Sequence, residues 1–315
     1  GFADWFCTGV IKQGMNKGMP TSVQSFLRTR VLRAGSLAIT VFGDCISQHG
    51  GSVWMGSLIQ VLEKFGLNAR QVRTAVSRLS QNDWLQSERI GRRSYYRLSA
   101  AGEQDYNKAS RQIYSSGEPS WDKSWTILIC KKEDFFAYEE FVRQLKWLGF
   151  GVLVNGAFAH PRTDTVALKN LIQEFKAARY VTHWQASLKD DLIPKKLVKS
   201  AWELDKVSIG YNSFIQDFSS LSNSIPNPRD LTPEDSFICR ILLIHEYRRI
   251  LLKVADLPHE ILPRAWPGHL AMTITGELYR QLSENSLEYI QEQFVHYEGR
   301  FSRPSGAFFQ RFGGL

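Results

Sequence analysis

A chain of 315 residues exceeds one ordinary core, so two or three folded units are expected. With 43% hydrophobic and 22% charged residues and a mean hydropathy of -0.26 it excludes a fibrous or extensively disordered protein, and its apolar runs, such as Trp125–Cys130 and Ile238–Ile244, stop short of the roughly 20 residues that span a membrane. A net charge of +8 and a pI near 9.3 favour an anionic partner, while four scattered cysteines, Cys7, Cys45, Cys130 and Cys239, signal neither a disulfide framework nor a zinc knuckle and suit the cytoplasm.

Residues 1–24 are expected to be an extension. They carry Asp4 and no basic leader, unlike a secretory signal, and Met19 is a candidate natural start that would make residues 1–18 foreign. A first domain is expected over residues 25–117. Leu37, Ala38, Val41, Phe42 and Cys45 fall on one helical face before Gly50-Gly51 breaks the pattern. After a short extended piece at Val53-Trp54, a second helix is predicted from about Ser57, with Leu58, Val61, Leu62 and Phe65 inward. Gly66 ends it, and Asn68 starts a third helix running to about Asn82, with Gln71 completing a capping box.

That third helix divides into two faces. Val72, Ala75, Val76 and Leu79 are apolar, whereas Arg70, Arg73, Thr74, Ser77 and Arg78 line the other side. Such a division suits a helix that packs on its neighbours and enters the major groove, although a solvated amphipathic helix shows it too. Trp84–Leu98 then reads as a strand, a turn near Gly91 and a second strand, a hairpin bearing Arg89, Arg92, Arg93, Ser94 and Tyr95. Between Arg70 and Arg97 stand seven arginines, no lysine and two acids, a local excess of five positive charges. A basic hairpin directly after a two-faced helix points to a winged helix-turn-helix, with the hairpin along the phosphate backbone of double-stranded DNA.

Past a polar linker at residues 117–120, a second domain is expected over residues 121–190. Strands at Trp125–Cys130, Phe150–Asn155, Ala157–His160 and Tyr180–Ser187, with helices at Glu133–Leu148 and Asp164–Ala178, give the β-α-β-β-α-β order of a ferredoxin-like domain. Dimerisation is its expected task. Some metal-dependent nucleases share this order, but the first strand holds no carboxylate for a cation. Residues 191–315 are expected to be mainly α-helical, with a break at Asn223–Pro228 and a helix start at Thr232-Pro233-Glu234-Asp235. The fold class is thus α+β and multidomain.

No catalytic or metal motif is visible. His245-Glu246 lacks the second histidine of a zinc protease, since Arg249 occupies its place, and no Walker loop, nucleophile elbow or dinucleotide fingerprint occurs, so no cofactor is implied. His49, His183 and His269 are assigned no role.

Three runs, Ile39-Thr40-Val41-Phe42-Gly43-Asp44, Phe65-Gly66-Leu67-Asn68-x-Arg70-x-Val72-Arg73-Thr74 and Glu88 through Leu98, resemble the PaaX family of bacterial repressors of phenylacetate degradation. His245–Ile250, Asp256-Leu257-Pro258, Ile261-Leu262-Pro263 and Trp266-x-Gly268 resemble that family's C-terminal domain. The resemblance implies a homodimeric repressor released from its operator by phenylacetyl-CoA. In that light Arg248, Arg249 and Lys253 are candidates for the coenzyme A phosphates, and His245, Tyr247 and Trp266 for the remainder of an effector site. The plainer alternative makes Tyr247 and Trp266 core aromatics and pairs the cations with acids such as Glu246 and Asp256. An acyl-CoA-handling enzyme that merely carries a DNA-binding domain is the rival function.

Overall fold

The computed structural model describes residues 32–115, 117, 121–187, 195–224, 230–253 and 257–315. Residues 1–24 with Met19, most of the linker, the end of the expected break and Asp256 lie outside the described residues. The chain divides into two compact units. One draws on Gly1–Ser116, Ser213–Arg249 and Leu270–Leu315, the other on Gly117–Asn212 and Ile250–His269.

In the first unit the N-terminal segment runs α1 (Ala34–Asp44), β1 (Ser52–Trp54), α2 (Met55–Glu63), α3 (Ala69–Gln81), β2 (Leu85–Ile90), β3 (Arg93–Leu98) and α4 (Ala100–Ile113). The strands form an antiparallel sheet in the order β1-β3-β2, with Val53 opposite Tyr96 and Leu85 opposite Leu98. The residues chosen by helical spacing, Leu37, Val41, Phe42, Leu58, Val61, Leu62, Val72, Val76 and Leu79, are all buried, as amphipathic faces packing on one another require.

The second unit holds β4 (Ser124–Cys130), α5 (Tyr138–Trp147), β5 (Gly151–Val154), β6 (Ala157–His160), α6 (Thr165–Glu174) and β7 (Val181–Ser187). All pairings are antiparallel and the sheet order is β5-β6-β4-β7, the ferredoxin-like arrangement anticipated from the element order. One face packs Leu128, Cys130 and Phe158 against Phe141, Leu145, Leu168 and Leu171 of the two helices. Its other face packs Trp125 and Ala159 against Val198 of α7 (Lys195–Ala201) and against Leu257, Ile261 and Leu262. Both sheet-covering helices are shorter than expected. Asp134 turns left-handed (φ 59°) before α5 starts, and Lys176 (φ 49°) follows the end of α6.

The C-terminal part is mainly helical, as predicted: α8 (Leu204–Ser224), α9 (Pro233–Leu251), α10 (Pro267–Gln293), a small β8–β9 ribbon (Val295–His296, Gly299–Arg300) and α11 (Gly306–Phe309). The expected break at Asn223 falls slightly late, because α8 continues through Ser224. Thr232 starts α9 as anticipated, its hydroxyl accepting from the Asp235 N–H at 3.1 Å. From Asp235 to Arg248 every residue of α9 is buried. A helix buried all round must find partners for its polar side chains, and α9 carries Arg240, His245, Glu246 and Arg248.

Candidate nucleic-acid interface

The exposed surface of the first unit is built on α3. Its start is fixed by a complete capping box: Asn68 Oδ1 accepts from the Gln71 N–H and Gln71 Oε1 accepts from the Asn68 N–H, both at 2.9 Å. With Val72, Ala75, Val76 and Leu79 buried, helical geometry turns Arg70, Arg73, Thr74, Ser77 and Arg78 outward, and all five are exposed. The hairpin β2–β3 closes with Ile90 opposite Arg93. Gly91 takes a positive φ of 61°, which a two-residue hairpin loop of the II′ kind needs at its first position. Arg89, Arg92 and Arg93 are exposed around this tip and Ser94 is half-buried. Tyr95 departs from the expected set. Only 7% exposed, it stands opposite Trp54 in the register and so shares with Trp54 and Arg93 the face of β3 that points away from Leu98.

The electrostatics of this face are one-sided. Among the described residues Arg70, Arg73, Arg78, Arg89, Arg92 and Arg93 form no ion pair. The first turn of α3 contains no acid, so Arg70 stands near the positive end of the helix dipole with Arg73 one turn on. Cations at a helix N-terminus, and like charges three or four residues apart, each cost a few tenths of a kcal/mol, a disadvantage that an anion bound there would reverse. Arg93 has one neighbour of note: its guanidinium lies 4.5 Å from the centroid of the Trp54 ring.

Beneath this surface α1 is tied to the C-terminal helices by polar groups that the sequence reading missed. Asp44, fully buried, accepts from Arg240 Nε (2.9 Å) and Nη2 (2.7 Å), Arg311 Nη1 (3.0 Å), Tyr114 Oη (2.9 Å) and Tyr279 Oη (2.8 Å). Burial alone would raise its carboxyl, but Arg240 and Arg311 outweigh that and hold it below its ordinary value. The second cation is accommodated by an aromatic face, Arg311 lying 3.7 Å from the Tyr114 ring centroid. A lone arginine inside the apolar run Phe237–Leu243 was the available signal, since such a cation survives burial only with a partner.

The expected effector residues are distributed as follows. His245, Tyr247 and Arg248 are buried in the first unit. Arg248 donates to Thr40 Oγ1 (2.8 Å) and Ser36 O (2.7 Å), and His245 Nδ1 lies 2.9 Å from the same Thr40 hydroxyl. Burial, reinforced by Arg248 and Arg249, pushes the His245 imidazole well below its ordinary range, so it stays neutral; burial also lowers Arg248 to about 10, leaving it charged. Tyr247 packs near Phe214, and half-buried Arg249 pairs with Glu246 at 3.1 Å. In the second unit Lys253 is exposed and Trp266 packs edge-on to Tyr211. An open cavity of about 580 Å³ in that unit is walled by Trp121, Asp122, Thr126, Arg162, Thr163 and Gln185 among others, none of them an expected effector residue. Among the described residues no three His, Cys, Asp or Glu side chains gather as a metal ion would need, and no helix is long and apolar enough to cross a membrane.

Known proteins resemble the chain along nearly its whole length. Residues 33–102 match the family described as PaaX-like protein, 118–198 the PaaX protein central Cas2-like domain, and 202–292 the PaaX-like protein C-terminal domain. The transcriptional repressor PaaX of Escherichia coli (strain K12) is 35% identical over 301 residues, covering 94% of this chain and 95% of that protein. A solved structure of an uncharacterized protein from Mycobacterium tuberculosis superposes with a TM-score of 0.46 at 20% identity, covering 73% of this chain and 88% of that one. With three consecutive domains matched and a full-length relative at this identity, the chain belongs to the PaaX family.

Proposed function

We propose that this protein is a DNA-binding transcriptional repressor of a phenylacetate catabolic operon and that phenylacetyl-CoA releases it from its operator. The observation that carries the reading is the face of exposed arginines on α3 and the β2–β3 tip, without carboxylate partners among the described residues. In this reading α2 and α3 form the helix-turn-helix and β2–β3 the wing. Arg70, Arg73, Thr74, Ser77 and Arg78 meet the major groove, while Arg89, Arg92, Arg93 and Ser94 follow the phosphates. Tyr95, buried beside Trp54, supports the wing.

The protein acts as a homodimer with one head per half-site, which suits a cytoplasmic regulator of a palindromic operator. Edge strand β7 supports pairing with a second copy. It is exposed from Thr182 to Ser187 and carries neither lysine nor proline, the residues that ordinarily blunt a free edge. Arg249 and Lys253 keep cationic ends within reach of solvent, and either can meet a coenzyme A phosphate. His245 and Arg248 act on the head through Thr40 and Ser36 of α1 rather than by touching the effector.

Operator and effector then oppose each other by linkage, and near-complete release requires roughly a 10⁴-fold preference of the effector for the unbound state. A gel shift with the promoter of a phenylacetate gene cluster tests this. Retardation that phenylacetyl-CoA abolishes without being consumed is expected. Absence of retardation would overturn the reading, and turnover of the thioester would favour an acyl-CoA-handling enzyme.

A further inference from the structure

The first strand of the head ends on a tryptophan outside the set of proposed DNA contacts. Trp54 pairs with Tyr95 across β1 and β3, and its side chain is half-buried. Two residues on stands Gly56. A Cβ placed there would lie 2.4 Å from the outer carbons of the indole ring, so only glycine leaves the ring this seat. On the ring, 4.5 Å from its centroid, rests the guanidinium of Arg93, the first residue of β3 and an exposed member of the wing. Arg92, its neighbour at the tip, has no aromatic partner among the described residues.

We propose that Trp54 is a positioning residue for the wing: seated on Gly56, it holds the Arg93 guanidinium ready to meet a DNA phosphate. The inference rests on the DNA-binding reading given above. A guanidinium stacks through its face and donates through its edge, so the ring leaves the N–H groups of Arg93 free for an anion. An arginine already held on a ring has fewer rotamers to lose on docking than one waving in solvent, and that saving appears as affinity. Phosphates carry no base identity, so the benefit extends to any duplex.

Fluorescence anisotropy of the full chain on a labelled mixed-sequence duplex tests the idea, with thermal unfolding to verify that each variant is folded. Trp54→Ala is expected to weaken binding about two- to fivefold, the range of an exposed cation–π contact, while Trp54→Phe keeps most of the wild-type affinity. Gly56→Ala should reproduce the Trp54→Ala loss by displacing the ring. In an Arg93→Ala background, Trp54→Ala should cost nothing further. A purely structural tryptophan would instead give the same loss in both backgrounds, and that additivity would overturn the proposal. So would an Arg93→Ala loss with no loss from Trp54→Ala. A wild-type chain that ignores the duplex would overturn the DNA-binding reading and this inference together.

Discussion

Arg73 and Arg92 both present a guanidinium to solvent, yet they are expected to fail differently. Arg73 is on the outward face of α3, where a fork can pair with a base edge; Arg73→Ala should cost roughly 1–3 kcal/mol of discrimination between operator and mixed sequence. Arg92 is at the hairpin tip, and Arg92→Ala should weaken all duplexes alike and flatten the salt dependence, both read from titrations at several ionic strengths. Asp44 is a third kind of residue, a buried anion between two buried cations. Asp44→Asn should destabilise by about 3–5 kcal/mol in urea denaturation, because Arg240 and Arg311 are left without their counter-charge. Since the folded carboxyl titrates below its ordinary 3.8, its contribution is complete above that value and is lost as pH falls through the lower folded one. The acid limb of the stability curve should therefore be shallower in Asp44→Asn than in the wild type.

At the scale of elements, α3 depends on its cap. Asn68→Ala removes the acceptor for the Gln71 N–H and should cost about 1 kcal/mol of stability, measured by denaturation, with operator affinity falling in step if the first turn frays. The capping box was legible because Asn68 and Gln71 are neighbours in sequence, and the two faces of α3 because residues three and four apart share a side. The order of the central strands was legible for the same local reason. What local pattern could not show was where a left-handed residue cuts a helix short, as Asp134 and Lys176 do at the ends of α5 and α6. Nor could it show that Tyr95 is buried, since alternation from Leu98 favours its neighbour Tyr96, which is only half-buried. Trp54 read only as part of an extended piece, because its partner Arg93 lies across the sheet.

In the whole molecule, the first unit is closed by contacts between segments far apart in the sequence. Asp44 meets Arg240 and Arg311 at separations of 196 and 267 residues, and Ser36 meets Arg248 at 212. Contacts of such range carry a high loop-closure cost, and no inspection of one segment reveals them. The same fold leaves the arginines of α3 and of the β2–β3 tip exposed and without ion pairs among the described residues. Salt should consequently act on this protein in two opposite senses. Counterions that screen mutual repulsion among those arginines should raise the melting temperature of the free chain modestly as ionic strength increases. The identical ions compete for the phosphates and should lower its affinity for DNA over the same range. Calorimetry beside a binding titration would read both slopes, and slopes of the same sign would mean that the face is not the origin of either. On this expectation the chain should be least stable in the dilute electrolyte in which it would grip DNA most firmly, and a bound polyanion should raise its melting temperature as well as occupy its face.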